Sequence, residues 1–274
     1  MAVCVPGRGA AVKRPLALLL HLGQKNSTFN MGDGMEGRQT GVTFTGGALA
    51  SFGYFAIFLF LFVLVIPGAW GAVPFAVWWA ANLSFDDGTR AEFTGRAGQI
   101  WVLFAVLALL AYLPAVATVA MGKGERANRM ELVLTLALFP LDAAVKLALY
   151  RWFFANLRLL PGGTPRFTAG YPGYLGWSLL LGLSILTIIG WAWAAVAMVR
   201  WMCRHIESDH YAVSFHGTGW GLLWRSVLWL LGTVCIIPLP WVMRSTIAWW
   251  TNNLVLTHAA DPAVEDDFPA YGTA

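Results

Sequence analysis

The sequence predicts an all-α polytopic membrane protein of about eight helical segments, five to eight of them true spans. They are arranged as four two-helix repeats with short interfacial connectors. Three observations carry this expectation. Of 274 residues, 58% are hydrophobic and 12% charged, with 15 Trp and 17 Phe. An ordinary soluble domain has roughly 25% charged and 45–50% apolar residues. Long stretches lack any Asp, Glu, Lys or Arg, and aromatic-glycine junctions recur along the chain.

Taken in order, the first 40 residues read as a disordered extension, or as an over-extended start with initiation at Met31 or Met35. Lys13 and Arg14 precede a short leucine run, but His21 breaks it and no small-residue cleavage site follows, which argues against a signal peptide. One repeated transmembrane domain is expected over 41–256, with units over 44–92, 93–166, 167–214 and 215–256. Residues 257–274 form an acidic flexible tail.

The spans are located by charge-free stretches at 39–85, 97–122, 167–199 and 226–243, with a weaker one at 132–150 interrupted by Asp142 and Lys146. Crossing a hydrocarbon layer of about 30 Å takes roughly 20 mainly apolar residues. A helix satisfies its backbone internally, as lipid requires. A barrel would alternate over segments of about ten residues, and that alternation is absent from these stretches. Pro67-Gly68, Gly190 and Pro238-Leu239-Pro240 lie within long stretches. Proline removes a donor and disfavours helix in the residue before it, so each such stretch is two short helices or one kinked helix.

The repeat rests on Phe44-Thr45-Gly46, Phe93-Thr94-Gly95, Phe167-Thr168 and Phe215-His216-Gly217 as unit openings. Each unit closes on an aromatic segment, at Trp79, Trp152, Trp201 and Trp249. The second unit is longer because it holds the polar insert 122–131. Asn82 to Gly88 and Asn156 to Gly162 are corresponding turns, where Asn caps and glycine supplies positive φ. Brief β character is expected at 92–93 or 213–215, outside the hydrocarbon.

These junctions carry a resemblance. A Phe-x-Gly opening, an apolar helix, a Gly/Pro-Trp turn and an Arg/Trp-bearing helix ending in Asn is similar to the YjgN family of bacterial inner-membrane proteins. The matching segments are 82–95, 187–190, 200–217 and 240–254, and the likeness spans 42–256. The family turn resembles Thr-Leu-Gly-Ile-Tyr followed by Pro-Trp. Here Thr187-Ile188-Ile189-Gly190-Trp191 and Pro240-Trp241 each occur once. The family's arginine-rich second helix is thinned to Arg200 and Arg204 in unit three and Arg244 in unit four, and that helix of unit one has no arginine. The resemblance implies an architecture and a multi-pass place in the bacterial inner (plasma) membrane, and no reaction or substrate.

Positive residues concentrate on cytoplasmic loops. Lys13, Lys25, Arg38, Arg90, Arg96, Arg158, Arg166 and Arg204 fall on one side, against Lys123, Arg126 and Arg129 on the other. This places both termini in the cytoplasm. Unit arms of 16–17 residues are marginal spans, and a rival arrangement leaves several second helices interfacial. The basic residues are scattered rather than clustered on one face, so nucleic acid is not expected as a partner. Membrane lipids are, with self-association possible in addition.

Candidate chemistry is sparse. Asp142 and Lys146 stand four apart on one helical face. An intramembrane charge marks a substrate or ion pathway, or the two form an ion pair that eases insertion while Lys146 snorkels. Arg200, Arg204 and Arg244 are candidate contacts for anionic headgroups or solutes. His205, His210 and His216, with Glu207 and Asp209 nearby, match no familiar zinc spacing, so no metal is expected. The absence of GxSxG, Walker A and Rossmann fingerprints leaves no catalytic residue to name and no cofactor expected. Cys203 and Cys235 read as small hydrophobes. A membrane scaffold or lipid-interacting protein fits this pattern first, a transporter or channel second and a membrane enzyme last.

Overall fold

A computed structural model describes residues 39–64, 67–122, 124–208, 210–235 and 237–258. Most of the expected disordered extension and of the acidic tail lie outside these residues, as do Cys4, Lys13, Lys25, Arg38, Lys123 and Asp209; Gln39 and Thr40, expected in the extension, belong to a strand.

The described chain is not all-α. It contains eight helices and eight short strands: β1 (Gln39–Phe44), α1 (Ala48–Val63), α2 (Gly68–Ala81), β2 (Leu83–Phe85), β3 (Arg90–Phe93), α3 (Ala97–Met121), α4 (Glu125–Ala155), β4 (Leu157–Leu160), β5 (Arg166–Phe167), α5 (Tyr171–Ser184), α6 (Gly190–Cys203), β6 (Ile206–Glu207), β7 (Tyr211–Phe215), α7 (Gly219–Cys235), α8 (Leu239–Asn252) and β8 (Leu254–His258). The order strand, helix, helix, strand occurs four times. The connectors expected to be short interfacial turns are antiparallel ladders. β2-β1-β8-β7 form one sheet, and β3-β4 and β5-β6 form two more. The physical reason is period-two burial: Arg90–Phe93 alternates exposed and buried, and Leu157–Leu160 does the reverse, which puts one face of each strand on the core.

The span count is also corrected. By length and composition, two helices are long and apolar enough to cross a membrane, α3 with 25 residues and α4 with 31. The other six run 14–17 residues. At 1.5 Å per residue that is about 21–26 Å, less than the roughly 30 Å hydrocarbon layer. The breakers set these lengths. Pro67 and Pro238 are the N-caps of α2 and α8. Between α5 and α6 a single 3-10 turn, Ile185–Thr187, ends at Ile188 with φ 61°.

The four junctions share one geometry. Phe44 pairs with Leu83, Phe93 with Leu157, Phe167 with Ile206 and Phe215 with Leu254. One residue further on, the amides of Thr45, Thr94, Thr168 and His216 donate to the carbonyls of Asn82, Asn156, His205 and Asn253 at 2.8–3.0 Å. Those capping side chains turn back on their own helices. Asn82, Asn156 and Asn253 donate through Nδ2 to the carbonyls of Trp78, Trp152 and Trp249, and His205 Nδ1 takes the same position on Trp201. The opening Phe meets that Trp edge-on in three cases, at ring separations of 5.4–5.9 Å. Gly46, Gly95 and Gly217 lie against these ring pairs, and a Cβ there would overlap them.

The helices close into a ring: α2 packs on α3, α4 on α5, α6 on α7, and α8 returns to α1. Three seams are built alike, from Ala69, Val73 and Ile100, from Ala143, Leu147 and Tyr174, and from Ala192, Val196 and Leu222. The small residue lets the helices approach closely. At the fourth seam the corresponding positions hold buried Pro240, Arg244 and buried Ser51. Closure is reinforced where β8 pairs with β1, Thr40 opposite Leu256, and where the Phe44 amide donates to Asn252 Oδ1 at 3.0 Å.

Candidate functional site

A chamber of about 400 Å³ lies between the second helices of all four hairpins. Phe75 and Trp79 come from α2, Phe153 from α4, Val199 from α6, and Ile247 and Trp250 from α8. Phe215 and Leu254 line it from the strand side. Thr251 brings the one hydroxyl among its lining residues, and that oxygen accepts from Trp79 Nε1 at 3.4 Å. A second hollow of about 410 Å³ opens between α1, α7 and α8, lined by Phe55, Leu59, Trp229, Leu239 and Met243 among others. Both suit hydrocarbon. Neither offers a charged or strongly polar group for a hydrophilic solute.

Asp142 and Lys146 stand as an ion pair within α4. Lys146 Nζ and Asp142 Oδ2 are 2.7 Å apart on α4, with the Lys146 side chain 48% exposed and Asp142 25% exposed. Neither residue lines the chamber. The ion pair is local, within one helix, and half open to the surroundings of the bundle.

The arginines have protein partners. Arg200, on α6, donates through Nη2 to the carbonyl of Gly217 at 2.8 Å. Arg244, on α8, donates through Nε to the carbonyl of Gly46 at 2.7 Å. Both acceptors stand at the opening of the next hairpin around the ring. Arg151 does the same from α4, donating to the carbonyl of Ala169 at 2.8 Å. Arg151 is not among the candidate contacts that the sequence singles out. The available signal was the Arg-Trp pair shared by Arg151-Trp152 and Arg200-Trp201. From α2, which has no arginine, no such clasp reaches Gly95. Arg204, by contrast, is exposed just past α6. Arg225 packs its guanidinium 5.0 Å over the Trp249 ring and donates to Gly221.

Among the described residues, no three His, Cys, Asp or Glu side chains gather into a metal-sized cluster. His216 Nε2 stands 3.2 Å from Ser214 Oγ, away from the helix cap that His205 provides.

The arrangement defines a ring of four helical hairpins rimmed by short antiparallel ladders, with hollows lined by apolar side chains and one hydroxyl. No family model, no curated protein and no solved structure matches this chain.

Proposed function

We propose that this protein is an integral membrane protein whose role is to interact with lipid and to serve as a scaffold in the bacterial inner membrane. On this reading the four strand-helix-helix-strand segments are an internal repeat of the kind the YjgN resemblance implies, and self-association would occur laterally. The observation that carries the reading is where the apolar surface lies. Large hydrophobic side chains are exposed around the ring, such as Leu109, Val116, Leu136, Leu180 and Leu230. A soluble protein rarely exposes a contiguous apolar patch beyond a few hundred Å². The interior supports the same reading, because its hollows are lined by aromatic and aliphatic groups. The arginine clasps contact backbone carbonyls of neighbouring hairpins.

Transport is the less favoured role, since Asp142 and Lys146 pair within α4 away from the chamber. The test is untargeted lipid and metabolite profiling of the protein purified in nanodiscs, followed by flux assays on whatever is enriched. Enrichment of phospholipid without solute flux is expected. A solute flux abolished by Asp142→Asn at unchanged protein level would refute the scaffold reading.

A further inference from the structure

We infer that three of the four hairpins end inside the hydrocarbon, entering from the strand side and turning back, and that only α3–α4 crosses the bilayer; this rests on the membrane reading above. Four observations combine. First, the short arms reach about 21–26 Å, less than the roughly 30 Å layer. Second, the α3–α4 hairpin outreaches its neighbour. Tyr112 Oη contacts the carbonyl of Val63, at the tip of α1–α2, yet α3 runs on to Met121, about 14 Å further. The α7–α8 tip lies beside the α1 tip, since Val63 and Leu239 line one hollow.

Third, the α3 arm of the overhang is apolar up to its last turn. Residues 113–117 carry no charge, and Val116 is 61% exposed, a surface that belongs in hydrocarbon. Charge begins where Thr118 Oγ1 donates to Glu131 Oε2 of α4 at 3.2 Å, which sets the far edge of the layer just beyond Val116. Fourth, the tips differ in kind. The α3–α4 tip brings Glu125, Arg126 and Arg129, with Glu125 and Arg129 paired at 3.2 Å and both exposed. The short tips show exposed Leu186, Ile188 and Ile237, and no Asp, Glu, Lys or Arg lies within six residues of these along the chain. A tip that reached far-side water would present these groups to it. The occupant of the space beyond the three short tips is therefore the acyl chains of the far leaflet. The protein wedges one leaflet and pierces the other with a single hairpin.

The test uses the full chain with its cysteines replaced by serine and single cysteines introduced as Leu186→Cys, Ile237→Cys, Val116→Cys or Arg126→Cys. Each is spin-labelled and reconstituted into vesicles of phosphatidylethanolamine and phosphatidylglycerol. Collision with oxygen and with a water-soluble nickel chelate reports depth. Labels at 186, 237 and 116 are expected to be oxygen-accessible and shielded from nickel. The label at 126 is expected to meet nickel on the face opposite one placed by Arg158→Cys. Nickel access at 186 and 237 from the side that reaches 126, with 116 still shielded, would overturn the inference and leave the membrane reading standing. Nickel access at all four sites, 116 included, would overturn both. Should Ile237→Cys fail to fold, Val234→Cys, 76% exposed on the same hairpin, replaces it.

Discussion

Arg244 joins the last hairpin to the first, and replacing it measures how firmly the ring is closed. Its Nε donates to the Gly46 carbonyl at 2.7 Å, at the seam where the first and last described strands, β1 and β8, pair. A hydrogen bond from a charged donor contributes about 1.5–3 kcal/mol. Arg244 is exposed along much of its length, so competing solvent lowers this to about 1 kcal/mol. Arg244→Met keeps the apolar stem and removes the donor. Equilibrium unfolding in mixed micelles, driven by increasing dodecyl sulfate, is expected to show a loss of about 1 kcal/mol, roughly fivefold in the folding constant. Hydrogen exchange is expected to rise in β1 and β8 and to stay unchanged in β3 and β4. Arg204→Met, at an exposed site, is expected to stay within about 0.5 kcal/mol of wild type. Equal effects of the two substitutions would refute the clasp. So would a loss for Arg244→Met that appears only when anionic lipid is present, because the guanidinium would then be serving headgroups.

Other substitutions read separate parts of the fold. Gly95→Ala places a Cβ into the Phe93 and Trp152 rings and is expected to destabilise by about 1–3 kcal/mol in the same unfolding assay. Gly53→Ala, in α1 with open space around it, is expected to be neutral or to stabilise by up to about 1 kcal/mol. Ile188→Gly relieves a β-branched residue held at φ 61° and is expected to raise stability by about 1 kcal/mol. Asp142→Asn removes a half-open ion pair; a change below about 1 kcal/mol is expected, with no change in the vesicle-bound fraction on flotation.

The junctions were the legible part of this sequence. Phe-x-Gly openings and closing tryptophans stand out because glycine is demanded where a ring lies on the backbone, as at Gly46 and Gly95. The proline and glycine breakers marked the hairpin tips for the same local reason. The strands were less visible, since two to six residues of alternation are lost in a background that is apolar on both sides. Ile206–Glu207 carries no pattern of its own and is a strand only because Arg166–Phe167 pairs with it. Charge-free length misled about spans. A stretch such as 39–85 is long enough for two crossings, yet it holds two strands as well as two arms of 16 and 14 residues. The clasps depend on which carbonyl lies across a seam. Arg200 at a helix end shows its charge in the sequence, whereas its partner, Gly217, is supplied by the ring.

The central claim is that the outer apolar surface is solvated by lipid. Flotation of reconstituted vesicles at alkaline pH, which strips peripheral proteins, tests it most directly. The full-length protein is expected to rise with the lipid and to stay there after carbonate treatment. Recovery of folded, lipid-free protein in the aqueous fraction without detergent would contradict it.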